Sequence, residues 1–450
     1  MLVLSLAAPF TYARFEFDEK YEYKTQISLL DGIRFFVASL FFYDDQELAE
    51  LNYFAVDDSD GYSEYSVQEQ FDFTDRSPAA FKKLLMLTFM STKTNVRVTA
   101  VVNAVINLIY LIILLVTALL SLLRLVSGFF NVKIARKLHS YSSLRSEKGL
   151  SRALFFAPIV IFSNLHMSNM GYSNALFEMR VIDVGAAAGF YILLALLIAA
   201  NGWMLYNNVV AGGDSVSKAI GDFGAKETIS AICVLLIMIS VFLPCFTLSV
   251  TRTGLVSSQT TAQPVFMSDM AEFDYRTRNY YKRMTDDETV ALIQSAWEKN
   301  LTRFEASNGV LNRVLMRNDS SLANMIYFSL YALSILLLFV CARVLMSQNA
   351  VFMKRADRSK KKKGARVFLT VLTAIVFAVA SIALLVLLSA RSTWSGVGAD
   401  YYLKYAMGIA PTLSLMSAIV LCFSFGKERK KKNLPSYDNP DISYAPYVVK

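Results

Sequence analysis

The sequence predicts an all-α polytopic membrane protein with about eight transmembrane helices, arranged as two parallel four-helix repeats. Hydrophobic residues make up 55% of the 450-residue chain and charged residues 18%, which is too apolar for an ordinary soluble protein. The apolar residues gather in long runs, and the loops between them differ sharply in charge. The order of runs and loops occurs twice, and each repeat is expected to carry a small α+β ectodomain after its first helix.

Six apolar runs approach or exceed the length of about 20 residues that a helix needs to cross a bilayer. A seventh run, 153–170, contains Pro158, Asn164 and His166. It is predicted to be a span that lines a bundle, where neighbouring helices satisfy its polar groups. The six complete runs are 99–123, 184–206, 228–250, 322–346, 367–390 and 405–426.

The charge of the loops orients these spans. The segments 131–152, 353–366 and 427–432 are basic and fall on one side of the membrane if the spans are as predicted. The long loops 12–97 and 251–321 fall on the other side, and the first of them is acidic. The positive-inside rule therefore places the basic loops and the C-terminus in the cytoplasm and both long loops outside. The same rule accounts for the net charge of +9 without a nucleic-acid partner.

Several short matches occur in the same order in the two halves of the chain, which indicates an internal repeat. Four spans per repeat place the halves parallel, and a pseudo-twofold axis along the membrane normal is expected. The matched positions are Phe10 and Thr11 with Phe246 and Thr247, Asn107 with Asn324, Arg124 with Arg343, and Gly202 with Gly426.

The repeat offers an interpretation of the opening MLVLSLAAPF. This stretch corresponds to the outer half of the run 228–250, so residues 1–11 are predicted to form a partial first transmembrane helix. We expect a further piece of the chain upstream. The alternative is a cleaved signal peptide, which ordinarily begins with a basic region, whereas no basic residue precedes Leu2.

These observations divide the chain into eight segments. The last one contains three prolines and no apolar periodicity, so a disordered cytoplasmic tail is expected. The predicted segments are a partial first helix (1–11), an acidic ectodomain (12–97), helices two to four with a basic cytoplasmic loop (98–210), a cytoplasmic linker (211–227), helix five (228–250), a second ectodomain (251–321), helices six to eight with a basic cytoplasmic loop (322–432) and the tail (433–450).

Two local patterns predict elements in the ectodomains. Alternating aromatic residues from Phe15 to Tyr23 indicate a half-buried strand. Thr285 and Glu288 form a capping box that opens a helix. An apolar stripe on this helix is predicted to lie in a core or to pack onto the membrane or the partner loop, or alternatively to line a peptide or lipid groove. Its members are Val290, Ile293, Trp297, Leu301 and Phe304.

The sequence carries no motif of a known catalytic or cofactor site. Walker A, G-x-S-x-G, H-E-x-x-H and dinucleotide-binding patterns are absent. The four cysteines lie in apolar runs without a C-x-x-C pair, and the acidic stretch 57–61 fails the spacing of an EF-hand. We therefore predict a protein that is not an enzyme and has no cofactor and no metal site.

Two groups of residues are candidate contact sites. Asn107 and Asn324 are intramembrane and symmetric in the repeat, so they either line a pathway or form hydrogen bonds between helices. The basic cluster in the loop 353–366 either sets the topology or contacts anionic lipid. Its candidate lipid contacts are Lys360, Lys361, Lys362 and Lys363.

The topology resembles that of two families over the whole chain. The order span, ectodomain and three spans, taken twice, is similar to ABC permeases of the lipoprotein-release and macrolide-export type. Two four-span halves resemble paraquat-inducible protein A, whose paired cysteine motifs are not found here. No motif residue of either family can be carried over to this sequence.

Two functions are therefore expected as alternatives. The first is a non-catalytic protein of the cell (cytoplasmic) membrane that acts through paired extracytoplasmic domains as a scaffold, sensor or accessory subunit. The second is the permease subunit of an ABC-type transporter that works with a separate ATPase. The partners implied are the lipid bilayer and either another envelope protein or that ATPase, and no nucleic acid.

Overall fold

The computed structural model describes most of the helical part of the chain and two small sheets. Several sequence predictions lie outside the described residues, among them the chain start before residue 8, the acidic stretch 57–61, most of the linker 211–227, the basic segment 427–432 and the tail 433–450. The described residues are 8–17, 21–31, 94–130, 132–166, 172–173, 178–210, 224–254, 257–267, 283–301, 310–352, 360–389, 393–396 and 399–424.

The elements fall into a first half, residues 8–210, and a second half, residues 224–424. The first half contains β1 (Pro9–Phe17), β2 (Tyr21–Ser28), α1 (Thr94–Phe129), α2 (Lys133–His166), β3 (Tyr172–Ser173), β4 (Glu178–Ala186), α3 (Ala188–Leu205) and a π-helical turn (Tyr206–Val210). The second half contains α4 (Ala225–Ser240), β5 (Pro244–Thr253), β6 (Ser258–Phe266), α5 (Asp286–Glu298), α6 (Leu311–Phe352), α7 (Lys360–Leu388), β7 (Thr393–Gly396), β8 (Ala399–Met407) and α8 (Ile409–Ser424).

Four helices in the described part of the chain are long and apolar enough to cross a membrane. The protein is therefore mostly helical, with two small antiparallel sheets, and its composition is that of a membrane protein. The helix α8 is apolar but spans only 16 residues. The four membrane-length segments are Val101–Phe129 of α1, Ala188–Leu205 of α3, Ser329–Ala350 of α6 and Gly364–Leu388 of α7.

The predicted span 228–250 is wrong in its second part. The helix α4 ends at Ser240, and Pro244 begins the strand β5. Proline lacks the N–H that a helix interior needs and disfavours helical geometry at the preceding residue. The residues after Pro244 alternate between buried and partly buried positions, as in a strand with one buried face.

Other predicted runs also combine two kinds of element. The first residues of the runs 184–206 and 405–426 belong to the ends of β4 and β8, and the helices begin only at Ala188 and Ile409. Residues 9–11, expected at the end of a first helix, lie in β1. In the run 153–170, α2 contains Pro158 and ends at His166. Apolar content marked these segments as buried but did not separate strand from helix.

The basic segment 131–152 is helical from Lys133 onward, so the prediction of a loop there is wrong. Its Lys, Arg, Leu and Glu residues favour helices, and it packs as a hairpin against the end of α1. Arg124 Nη1 lies 3.3 Å from Glu147 Oε1, and His139 Nδ1 lies 3.0 Å from the Arg124 carbonyl oxygen. These contacts explain how a charged helix stays in register beside an apolar one.

The two sheets have corresponding strand orders, β2-β1-β4-β3 and β6-β5-β8-β7. In both sheets all pairs are antiparallel, and a hairpin joins a strand from much later in the chain. The predicted strand around Phe15 is a hairpin, with Phe15 opposite Tyr23. In each sheet the first strand begins at a proline, and the pairing register shifts at the next residue, Phe10 or Cys245.

The halves meet where α2 packs against α6. The rings of Phe162 and Tyr331 stack with centroids 6.3 Å apart, and Asn349 Nδ2 donates to Ser151 Oγ at 2.9 Å. These contacts make α2 and α6 antiparallel. Phe162 lies near the end of α2, from which the chain continues to β3 and β4 of the first sheet. Tyr331 lies on the part of α6 that is beside the end of α7, from which the chain continues to β7 and β8 of the second sheet. Because Phe162 and Tyr331 are in contact, both sheets lie at the same end of the bundle.

The contact between the halves does not have the arrangement that a twofold axis would give. If α1 and α2 correspond to α6 and α7, such an axis would pair the α2–α6 contact with an equivalent α1–α7 contact. Among the described helices, α1 and α7 share no comparable contact. The halves therefore meet through non-equivalent surfaces.

Candidate functional site

A cluster of polar side chains joins α1 and α2 within their apolar segments. Asn103 and Asn107 lie one turn apart on the buried face of α1, and Ser163 and Asn164 face them from α2. Asn107 Nδ2 donates to Asn103 Oδ1 at 2.6 Å and to Asn164 Oδ1 at 2.9 Å. Asn103 Nδ2 donates to Ser163 Oγ and to Asn164 Oδ1, both at 3.0 Å.

The side-chain amides of the cluster hydrogen-bond to one another. Asn164 Nδ2 donates back to Asn107 Oδ1 at 3.3 Å, so the amides of Asn103, Asn107 and Asn164 all have partners. Asn103 is 2% and Asn107 1% exposed. A polar group in an apolar environment is costly unless it is hydrogen-bonded, and here each amide satisfies another. The geometry fits a clamp between two helices better than the wall of an open path.

The structure describes the side chains of only some of the site residues predicted from the sequence. Asn107 lies in the cluster, whereas Asn324 belongs to α6 with a side chain outside the described part. The helix α7 begins at Lys360, and the side chains of Lys360, Lys361, Lys362 and Lys363 are likewise outside the described part. Sequence reasoning missed Asn103 and Ser163. The spacing of Asn103 four residues before Asn107 was the available signal.

An apolar crevice of about 400 Å³ opens between the two halves. It is formed by α1, α2 and α6, close to the stacked pair of Phe162 and Tyr331. At its wall, the Tyr110 hydroxyl donates to the Ala153 carbonyl oxygen at 3.1 Å. The crevice therefore suits an apolar group such as an acyl chain. Its lining includes Val102, Ile106, Tyr110, Phe156, Tyr331 and Phe339.

Each sheet is joined tightly to the helix that follows it. The Ala187 N–H donates to the Phe10 carbonyl oxygen at 2.9 Å, and the Gly408 N–H donates to the Cys245 carbonyl oxygen at 2.8 Å. A Cβ on Gly408 would clash with the carbonyl oxygen of Pro244, and one on Gly189 would clash with that of Pro9. Strand and helix approach each other so closely in both halves that only glycine fits.

The second half adds a helix to its sheet, and the predicted capping box is confirmed there. The Glu288 N–H donates to Thr285 Oγ1, while the Thr285 N–H donates to Glu288 Oε2 at 2.6 Å. The backbone hydrogen bond from Thr285, followed by its hydroxyl hydrogen bond, lowers the pKa of Glu288. The predicted stripe is confirmed in part: Ile293 is buried on the helix, whereas Leu301, also buried, lies beyond the helix end at Glu298. Phe304 lies outside the described residues.

Arg313 ties this helix to the start of α6. Its side chain is 2% exposed. Nε donates to Thr289 Oγ1 at 2.7 Å, and Nη2 donates to the Met284 carbonyl oxygen at 2.7 Å. The guanidinium also lies 6.0 Å from the ring centroid of Trp394 in β7. One buried cation thus connects the cap of α5, the helix α6 and the edge strand of the sheet.

Within the described ranges, no group of three or more His, Cys, Asp or Glu side chains is placed to hold a metal ion. Comparison of the chain with protein-family models, with curated proteins and with solved structures found no match in any of the three. Function is therefore inferred from the residues and their geometry.

Proposed function

We propose that this chain is a non-catalytic, multi-pass protein of the cell membrane that acts through its two sheet domains as a scaffold, sensor or accessory subunit. Four apolar helices support the membrane location. The sheets share one end of the bundle, while the basic starts of α2 and α7 lie at the other. By the positive-inside rule, the sheets face outward and the basic ends face the cytoplasm.

The tight junctions between sheet and helix carry this proposal. In both halves the strand that leads into the last helix also pairs with the first strand of the sheet. At Gly189 and Gly408 the helix lies in direct contact with the first strand of its sheet. A partner that binds a sheet would therefore act directly on the helices, as a sensor or accessory subunit requires.

The proposal includes an internal duplication. Equal strand order, a register shift after the first proline and the same strand–helix hydrogen bond support it. The pairing pattern aligns Pro9 with Pro244 and Phe10 with Cys245, one residue away from the sequence match of Phe10 with Phe246. In the proposed duplication, the match of identical phenylalanines is one residue out of register with the sheets, since the shifted position carries Phe in one sheet and Cys in the other.

The outer strand of the second sheet is a suitable docking surface. In the described part of the chain, β6 pairs with β5 on one side only, and Ser258, Gln259 and Thr260 are exposed. An unpaired strand edge offers backbone groups to which an extended segment of another protein can add. The partner class we propose is another envelope protein.

Site-specific photo-crosslinking in the native host tests this function. A photoreactive residue at Gln259 or Gln26, both exposed on the sheets, should give a discrete protein adduct. The same residue at Phe423, which is 81% exposed on the apolar helix α8, is the matched control and should give lipid adducts. Equal protein adducts at all three positions would contradict docking through the sheets.

A permease subunit that works with a separate ATPase is the second candidate. The crevice between the halves favours it, because an apolar cavity between two helical units suits an apolar cargo. Crosslinking from Lys137, exposed at the basic end of α2, separates the two candidates. An ATPase captured there would favour the permease, while adducts from Gln259 alone favour the accessory role.

A further inference from the structure

A second cavity, of about 730 Å³, lies between α1 and α2 near the basic half of α2. Arg145, Lys148 and Arg152 line it from α2. Their spacing of three and then four residues places the three cations on one face of the helix. All three side chains are exposed, so they border the cavity without being buried in protein.

The opposite wall of this cavity is apolar. It is provided by α1, where Ile112 is 50% and Val116 48% exposed. The two helices approach each other closely at Thr117 and Gly149, where a Cβ on the glycine would clash with the threonine hydroxyl. This close crossing closes one side of the cavity. The result is a groove with cations on one wall and a surface fit for lipid on the other.

The cations of the groove have no acidic partner in the described part of the chain. The nearby carboxylate of Glu147 pairs with Arg124 instead. The Arg145 guanidinium lies 4.2 Å from the ring centroid of Tyr141, which orients it without neutralising its charge. Three cations without an acidic partner among the described residues, lying beside an apolar wall, are complementary to an anion that carries an apolar tail.

We propose that this groove binds one anionic phospholipid, with its phosphate at Arg145, Lys148 and Arg152 and an acyl chain along Ile112 and Val116. The proposal rests on the membrane location proposed above, but on neither of the two candidate functions. Arginine and lysine bind phosphate through charge-assisted hydrogen bonds. The cavity volume falls in the range of built ligand sites, about 300–1,000 Å³.

Ordinary positive-inside placement makes a different prediction. Cations that only fix the topology would attract any anionic surface, and their number would matter more than their position. A built site depends on the three positions and on the shape of the apolar wall. The test therefore compares two variants with equal loss of charge on the same helix.

The experiment measures lipid retained by the purified full-length protein, with native mass spectrometry and titration of phosphatidylglycerol against phosphatidylcholine. In the site variant, Arg145, Lys148 and Arg152 are all changed to Gln. In the control variant, Lys133, Arg136 and Lys137, exposed on α2 outside the cavity, are changed to Gln. We expect about 100-fold weaker phosphatidylglycerol binding in the site variant, and a change within about twofold in the control.

A second variant keeps the test valid if the triple change unfolds the protein. Val116→Trp leaves every charge in place and should still weaken phosphatidylglycerol binding at least about tenfold by filling the groove. Inorganic phosphate, added at the same concentration, should not compete. Equal losses in the site and control triple variants, unchanged binding in Val116→Trp, or competition by free phosphate would each overturn the proposal.

Discussion

The two halves of the molecule share a strand order and a strand–helix junction, but they stabilise their helices by different means. In the first half, neutral amides around Asn107 join α1 and α2 inside the apolar segment. In the second half, the buried cation of Arg313 joins α5 and α6 beside the sheet, outside the membrane-length segment.

The difference follows from what each environment tolerates. An amide cluster in a membrane can satisfy itself without charge, and such hydrogen bonds contribute about 0.6 kcal/mol on average. A buried cation costs more to desolvate, so it is found where backbone carbonyls and hydroxyls can accept its hydrogen bonds. We expect substitutions at the strand–helix junctions to destabilise both halves. Substitutions in the amide cluster and at Arg313 should destabilise the protein to different extents.

The largest effect is expected at Arg313. Arg313→Met should lower the free energy of unfolding by about 3 kcal/mol, because the Met284 carbonyl and the Thr289 hydroxyl lose their donor in a buried site. Thermal unfolding in detergent measures it. The control is Arg252→Met, an exposed arginine 5.2 Å from the ring of Trp297, which should change stability by no more than about 0.5 kcal/mol. Equal losses of stability in Arg313→Met and Arg252→Met would contradict the stabilising role of the Arg313 hydrogen bonds.

The junction glycines should come next, although they occupy different positions: the shared hydrogen bond aligns Gly408 with Ala187, and Gly189 lies two residues further along its helix. Gly189→Ala and Gly408→Ala should each cost about 2 kcal/mol, because the added methyl meets a backbone carbonyl that cannot move freely. Gly202→Ala is the matched control on α3. Nothing lies within 4 Å of its added Cβ, so the helix should gain about 0.5–1 kcal/mol. A substitution that costs no more than Gly202→Ala at either junction would contradict the close approach of strand and helix there.

The amide cluster should show a smaller effect. Asn107→Leu should cost about 1 kcal/mol, because Asn103 and Asn164 keep part of their hydrogen bonds. Asn107→Leu combined with Asn164→Leu should cost less than the sum of the two single changes, since they share hydrogen bonds. Asn324→Leu should match Asn107→Leu if the halves are equivalent. Losses of several kcal/mol at one asparagine and none at the other would contradict that placement.

The smallest effect concerns pH and the cap of α5. The folded state lowers the pKa of Glu288, so its ionised form contributes stability above the ordinary glutamate pKa. That contribution is lost as the pH falls through the lowered pKa. The difference in unfolding temperature between the wild type and Glu288→Gln should therefore shrink between pH 7 and pH 3. A difference that grows in acid would contradict the capping role.

Sequence reasoning found the long helices because their signal is local. The run 99–123 lies within α1, the run 367–390 begins inside α7 and ends two residues beyond it, and the capping box at Thr285 begins a helix. It missed β4 and β8. In β8, buried Tyr401 and Leu403 alternate with exposed neighbours, but an adjoining apolar run concealed this period of two.

The partners of the sheets and clamps could not be found in the same way. The strand β4 pairs with β1, which lies more than 150 residues earlier in the chain, and no local pattern encodes such a pairing. Asn107 was visible as a polar residue in an apolar run, whereas its contact with Asn164 depends on how α1 and α2 pack. In the sequence, Arg313 is one of many charged residues, and only its burial in the structure distinguishes it from the others.

The proposed function places both sheets on the outer side of the membrane, and impermeant thiol labelling measures that placement. In a Cys422→Ala background, which removes the exposed cysteine, single cysteines are introduced as Gln26→Cys, Gln259→Cys and Ser140→Cys, at exposed positions on the two sheets and on the basic half of α2. Both sheet positions should react in intact cells, and Ser140→Cys should react only after permeabilisation. Labelling of Ser140→Cys in intact cells, or of only one sheet, would contradict that placement.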